Sequence, residues 1–403
     1  MRISTANSYD NTVSLLARRQ AELAAQQEKI ATGKRVQKAS DDPVAATLAE
    51  TAQNRLSRTQ ADLRSLETAR SSLQQAESGL AESGELIQKV RDLLVSAGNA
   101  TFGPSEREDI ARQLEGLREQ MIGVANLKDN SGRTLFGGLG GAATPFVDLY
   151  SAIGNGVQFN GQRGQAAAGN TSLPQALDGN AIWMRVPQGN GSFTLGLDPG
   201  NTGSVSTSVG EVTDPAALTG DDYAIGFAEV AGVMQYTVTS SVTGPVAGHI
   251  GVPYTPGMTI EFEGQSLQMN GQPAAGDQIN SLPSTNTNIF KVVQDAVDAL
   301  RDTSTNSGAV RNQALARTMT ELDAGHDRVL LARGRAGEWL NRADSLNTLM
   351  EDRSVDLKTE KSRLEDLDLV KGISDFQMQQ LGLEAALKSY AQVQRLSLFQ
   401  VIN

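Results

Sequence analysis

The sequence predicts a mainly α chain with a β insertion: a rod of long antiparallel coiled-coil helices formed by both chain ends, with an outer antiparallel β domain. Three observations carry this. Every seventh residue from Leu315 (Leu315, Leu322, Val329, Ala336, Ala343, Met350, Leu357, Leu364) is apolar. Leu66, Leu73, Leu80, Ile87 and Leu94 repeat the same spacing in the first quarter of the chain. Between these tracts, residues 141–287 hold ten of the twelve prolines, eleven acidic residues, two basic ones and no lysine.

A seven-residue apolar repeat held over fifty residues means a long helix with a coiled-coil seam. At ~1.5 Å per residue that helix is roughly 75 Å long. It needs a partner of similar length, and the Leu66–Leu94 helix supplies one. Met319, Trp339, Leu340, Leu346, Leu349 and Leu367 form a second track beside the first. Ala69, Ala76, Ser83, Val90 and Ala97 form the companion positions on the partner, most of them small enough for close approach.

In chain order, residues 1–32 read as an amphipathic helix with Leu16, Leu23 and Ile30 at heptad spacing and Val13 and Leu15 beside them. Gly33 suits its C-cap. The segment 31–39 is then a basic connector. Ser40, Asp41, Asp42 and Pro43 restart the helix: serine caps, aspartates favour the first turn and proline is tolerated there. Asp41 and Asp42 could also be read as paired metal or acid-base carboxylates, but helix initiation accounts for every residue. A third helix follows Pro104, with Ile110, Leu114, Leu117, Met121 and Val124 on one face, folding back as an antiparallel neighbour. Gly137 to Gly141 reads as a linker into the insertion.

Within the insertion, alternating runs at 181–186, 192–197, 223–227, 233–239 and 259–262 predict strands with hairpin turns. Asp221, Asp222, Glu261 and Glu263 do not have the spacing of a calcium loop, and the acidic surface reads as a solvated outer face. Ile289, Val292, Val293, Ala296 and Leu300 start another helix. The last helix carries Ile373, Phe376, Leu383, Leu387, Tyr390 and Val401 on one stripe, with Leu381, Leu396 and Phe399 off it, so it has a second apolar face. Three domains result: 1–39 with 372–403, a terminal helical pair; 40–140 with 284–371, the long-helix rod; and 141–283, the outer β domain.

Composition narrows the function. A net charge of -11 argues against wrapping nucleic acid. With no cysteine and two histidines, thiolate or histidine metal sites and Cys or His nucleophile pairs are not expected. No phosphate loop precedes a helix. The expectation is a protein that is not an enzyme and uses no cofactor. No run of about 18 apolar residues exists for a membrane span, and the N-terminus lacks the apolar region of a cleavable signal. Two thin terminal helices cannot bury their apolar faces alone. They would order when several copies pack into a ring or tube, through contacts that close or run on as a filament.

Specific segments resemble the flagellin superfamily, and more narrowly its hook-filament junction members. These are Met1 to Thr5 (with Ile3), Ala31 to Arg35, Ala39 to Ala46, Asn126 to Phe136, Gly271 to Asp277, Pro283 to Phe290 and the tail from Asp375 to Asn403. Filament flagellins typically carry Lys-Asp-Asp followed by Ala where this chain has Ser-Asp-Asp-Pro. The resemblance implies export in an unfolded state through the flagellar type III channel on an uncleaved signal, and a secreted location at the distal end of the hook. It implies a ring of identical copies between the first hook-associated junction protein and flagellin. It implies an export chaperone on the last helix, Ile373 to Val401, before secretion. The subunit contacts would be made by Ile3, Leu16, Leu23, Ile30, Ile373, Phe376, Leu383, Leu387, Tyr390, Leu396, Phe399 and Val401. A filament-forming flagellin shares the architecture and stands as the alternative. An enzyme or adhesin domain carried on a helical stalk is the third reading.

Overall fold

The computed structural model describes residues 2–99, 102–150, 156–165, 173–302 and 307–402, with side chains for all of these but 2–9, 307 and 393–402. Contacts divide the chain into two compact units, Met1–Arg64 with Ser345–Asn403, and Ser65–Asp344. The helices are α1 (Arg2–Thr32), α2 (Pro43–Ala97), α3 (Pro104–Ala125), α4 (Gly179–Trp183), α5 (Ile289–Arg301), α6 (Ser307–Glu365) and α7 (Leu369–Ile402). Both α2 and α6 contribute residues to each unit.

In the second unit α2 and α6 run antiparallel. Arg70 pairs with Asp344 at 3.0 Å, Glu77 with Arg333 at 2.6 Å and Arg91 with Asp323 at 3.4 Å. The seam between these ion pairs is the predicted one. Leu66, Leu73, Leu80, Ile87 and Leu94 are buried, as are their companions Ala69, Ala76, Ser83, Val90 and Ala97. On α6, Leu315, Leu322, Val329, Ala336 and Ala343 are buried in this unit, as is Leu357 in the other. One expectation fails: Leu349, placed on the second track, is exposed. It is the sixth residue after Ala343, on the flank of the heptad rather than on its seam.

Helix α3 lies antiparallel to α5. Arg301 on α5 holds Glu108 at 2.9 Å and also pairs with Glu115, while Arg118 Nε donates to the Phe290 carbonyl at 3.2 Å. Arg118 is buried among apolar neighbours and forms a two-pronged pair with Asp148, at 2.7 and 2.9 Å. A planar guanidinium matched to a carboxylate in this way satisfies both groups. Phe136, Phe146, Trp183 and Phe290 fill the space beneath, meeting edge to face. Gly79 in mid-α2 makes room for this cluster: a Cβ there would stand 2.9 Å from Leu127 and 3.6 Å from Phe136.

The first half of the run 181–186, expected as a strand, is instead the end of helix α4. The Asp178 carboxylate accepts from the Asn180 and Ala181 amides, capping a turn that drops Ile182 and Trp183 into the core. Only Val186–Pro187 is extended. The Gly137–Gly141 stretch is more than a linker. Gly138 has φ +70°, and a Cβ on it would stand 1.8 Å from the Gln162 carbonyl oxygen. Backbone crosses backbone at that point.

The β region holds β1 (Phe146–Asp148), β2 (Val157–Phe159), β3 (Val186–Pro187), β4 (Phe193–Leu197), β5 (Ser206–Thr207), β6 (Glu211–Val212), β7 (Tyr223–Val230), β8 (Val233–Ser240), β9 (Gly244–Pro245), β10 (Val252–Pro253), β11 (Thr259–Phe262), β12 (Gln265–Asn270), β13 (Gln278–Pro283) and β14 (Asn286–Thr287). The larger sheet has the order β10-β8-β7-β13-β4, with β9 added to β8. The smaller has β11-β12-β5, with β6 added to β12, and β1-β2 and β14-β3 are two-stranded ribbons. Every pairing between these named strands is antiparallel. Alternation along β4, β7, β8 and β11 sends Phe193, Tyr223, Ile225, Tyr236, Val238 and Ile260 into a core of their own. Two buried side chains of α6 reach this region. Gln313 accepts from the Thr207 amide at 2.7 Å, and Glu321 accepts from the Gly189 amide at 2.9 Å. Burial pushes the Glu321 carboxyl up, against the pull of that amide and of Arg317.

Candidate assembly interface

In the first unit the two chain ends meet through their connectors. Helix α1 ends at Thr32, and Gly33 turns the chain with φ +68°. The following residues run as an extended clasp along the end of α6. The Leu367 amide donates to the Gly33 carbonyl at 2.8 Å, and the Arg35 amide donates to Glu365 O at 2.7 Å. Arg35 Nη2 donates to Leu364 O at 2.8 Å, and its Nη1 reaches Asp42 at 3.1 Å. Lys34 pairs with Glu365 at 3.0 Å. Val36 is buried beneath.

The helix start after the clasp is shifted from the expected one. Ser40 lies exposed in a turn, and Asp42 is the cap, accepting from the Ala45 amide at 3.0 Å before Pro43 opens α2. Asp41 instead accepts from the Gln37 and Lys38 amides at 3.1 and 3.0 Å, closing the turn before it. The Lys38 and Gln37 amides hold the Asp41 carboxyl below its ordinary value. The Ala45 amide, then Arg35, does the same for Asp42. Both aspartates are therefore occupied in building the helix start.

From this junction α1 and α7 run antiparallel. Gln26 Nε2 donates to Gly372 O at 3.2 Å, and Arg19 Nη1 passes 3.7 Å from where a Gly382 Cβ would stand. Among the residues expected to carry subunit contacts, Leu16, Leu23, Ile30, Phe376, Leu383 and Tyr390 are half-buried. Ile373 and Leu387 are exposed. Ile3, Leu396, Phe399 and Val401 lie in the helices but outside the described side chains. The other face of α7 is barer still: Met378 is 68 % and Leu381 69 % exposed. At its start Leu369 and Val370 stand in solvent, and Val13 and Leu15 do so on α1. The pair thus covers one stripe of each helix and leaves apolar surface on both.

Sequence reasoning missed the clasp and the Arg118–Asp148 pair. The run Gly33-Lys34-Arg35 was visible as a basic connector, but its acceptors lie some 330 positions away. Arg118 carried a signal, since it falls between Leu114 and Met121 on the apolar face of α3. Among the described residues, no group of three or more His, Asp or Glu side chains is placed to hold a metal ion. No described helix is long and apolar enough to cross a membrane.

Residues 3–140 match the family described as the bacterial flagellin N-terminal helical region. The flagellar hook-associated protein 3 of Escherichia coli strain K12 is 26 % identical in an alignment covering 100 % of this chain and 99 % of that protein. A flagellin of Clostridium tyrobutyricum is 21 % identical over 91 % of each. Among solved structures, the flagellar junction protein FlgL from Legionella pneumophila has a TM-score of 0.69 at 26 % identity, covering 73 % of this chain and 99 % of that one. The likeness to the hook-associated protein therefore extends from the helical ends through the β region between them, and residues 3–140 are similar to the flagellin N-terminal helical region.

Proposed function

We propose that the chain is a structural adaptor of the bacterial flagellum, joining the hook to the flagellin filament. Its work is binding and shape, not catalysis. The observation that carries this is the terminal pair: α1 and α7 are long, hold each other along one stripe and leave Met378, Leu381, Leu387 and Ile373 in water. An exposed apolar surface of this kind on a secreted structural protein is an interface waiting for partners. Full-length similarity to a hook-associated protein supports the junction over the filament.

In this reading several copies form a ring at the distal end of the hook. Residues 1–39 with 372–403 line the inner tube, residues 40–140 with 284–371 form the next shell, and residues 141–283 project outward. The ring meets the first hook-associated junction protein on one side and flagellin on the other. Before secretion through the flagellar export channel, a cytoplasmic chaperone covers the apolar faces of Ile373 to Val401. Immunogold microscopy of flagella with antibody to residues 141–287 tests the assignment. A single band where the hook ends is the expected result. Label along the whole filament makes the chain a filament-forming flagellin, and an absence of label from flagella sinks both readings.

A further inference from the structure

Two buried side chains of α6 seat the β region on that helix, and only one of them titrates. Gln313 and Glu321 stand at helical spacing on one side of α6. The Gln313 carboxamide is satisfied at both ends. Its oxygen accepts from the Thr207 amide and hydroxyl at 2.7 and 3.0 Å, and its nitrogen donates to the Leu195 carbonyl at 3.4 Å. Glu321 has less. It is 2 % exposed and accepts one hydrogen bond among the described residues, from the Gly189 amide at 2.9 Å. Its ion-pair partner there is Arg317, whose Nε stands at 3.8 Å and whose guanidinium also leans on Asp295 of α5 at 3.6 Å. Asp295 is in turn held by Lys291.

Gly189 belongs to the neck through which the chain enters and leaves the larger sheet. Strand β3 pairs with β14, and the Gln188 amide donates to the Thr285 carbonyl at 3.0 Å. Ser284 Oγ donates to the Gln188 carbonyl at 2.8 Å. Beyond the neck β4 and β13 pair directly, with Phe193 opposite Pro283. Gly189 has φ +57°, and a Cβ on it would stand 2.4 Å from the Phe193 carbonyl oxygen. The turn is tightly closed, so it presents its amide to α6 at one place. Neither segment of the neck, 186–192 or 283–288, contains a charged residue.

We propose that Glu321 makes this seat pH-sensitive. Neutral, its carboxyl suits the buried place beneath the Gly189 turn. Ionised, it is drawn toward water and Arg317, and the neck loosens from α6. A buried charge with one hydrogen bond and a shared cation is costly. Burial accordingly raises the Glu321 carboxyl above its ordinary 4.5, against the Gly189 amide and Arg317. Asp295 adds to the rise and Lys291 opposes it. A raised native value means that the contribution is whole in acid and is lost as pH rises through the folded value. Gln313 seats its part of the β region without a charge, so that contact is indifferent to pH. The inference concerns contacts inside one chain and stands apart from the adaptor reading.

Hydrogen–deuterium exchange of the full-length chain tests it, read by mass spectrometry and corrected for the intrinsic pH dependence of exchange. Peptides covering 186–192 should lose protection as pH rises from about 4 to about 8, while those covering 204–209 keep theirs. Glu321→Gln retains an acceptor oxygen and removes the charge, so 186–192 should stay protected throughout. Arg317→Gln removes the nearest cation, so the loss should move to higher pH. A flat wild-type profile overturns the proposal, as does a Glu321→Gln chain that loses protection as the wild type does. If Glu321→Gln fails to fold, Arg317→Gln decides, and a loss at unchanged pH overturns the proposal.

Discussion

The α2–α6 pair and the α1–α7 pair are both antiparallel, both written in apolar heptads, and end in opposite states. Along α2, ten successive seam and companion positions from Leu66 to Ala97 are buried. Along α7 the expected contact residues with described side chains (Ile373, Phe376, Leu383, Leu387 and Tyr390) are half-buried or exposed, and Met378 and Leu381 lie open on another face. The difference is not one of pattern. The seam of α2 and α6 is backed by α3, α5 and the aromatic cluster, which share one hydrophobic core with it. Among the described residues, no third layer backs the terminal pair in its own unit. Two helices bury one stripe each, and a wider apolar surface needs more helices than the monomer supplies. The same heptad spacing therefore specifies a core in one place and, in the proposed assembly, an interface in the other, according to what stands behind it.

Removing one side of the comparison has the largest expected effect. A chain ending at Lys371 loses α7 and abolishes assembly, while residues 65–344 keep a cooperative thermal transition by circular dichroism. Normal filaments from such a mutant would refute the role given to the terminal pair. Next come Leu80→Ala and Leu322→Ala, each removing a fully buried leucine. Each should cost about 2–5 kcal/mol in denaturant unfolding. A loss below about 1 kcal/mol would mean that the α2–α6 seam is as loosely packed as the ends.

An acid titration comes third. Burial alone would raise the Asp129 carboxyl, but hydrogen bonds from Ser131 and from the Arg133 and Ser131 amides, with the Arg133 charge, hold it at about 2 against an ordinary 3.8. A depressed native value means that this group stabilises the fold above about pH 4, and that the contribution fades as pH falls toward about 2. Asp129→Asn should flatten that part of the acid unfolding curve of the second unit. An unchanged curve would remove Asp129 from the account. The smallest effect on the fold is expected from Leu381→Ser, within about 0.5 kcal/mol of wild type for the monomer. The same change should reduce incorporation into flagella. Full incorporation would place the subunit contacts on another face of α7.

What is legible in the sequence follows the same division. Heptads survive as signals because a helix seam depends on spacing alone, so Leu315 to Ala343 and Leu66 to Leu94 were legible in advance. So were the strands at 193–197, 223–230, 233–240 and 259–262, where alternation and turn residues agree. Residues 181–186 misled because their alternation resembles a strand, while the deciding group, Asp178, lies outside the run and caps a helical turn. Ser40 misled for a related reason: three polar residues before Pro43 all suit a cap, and only backbone geometry selects Asp42. Gln313 and Glu321 were illegible because a polar residue between heptad positions ordinarily faces water. Here that side of α6 faces the β region. Arg35 was seen as charge and missed as clasp, since nothing local indicates a partner so distant in the chain.

That distance has a consequence for the order of events in folding. Lys34 waits for Glu365 across 331 residues, Gln53 for Lys361 across 308 and Glu77 for Arg333 across 256. Contacts so remote in sequence close large loops and form slowly. A chain delivered N-terminus first carries α1 and the α6-facing seam of α2 without their distant partners until the opposite end arrives. Nested pairing of this kind acts as a delay, keeping the early seams open for as long as the late ones are missing.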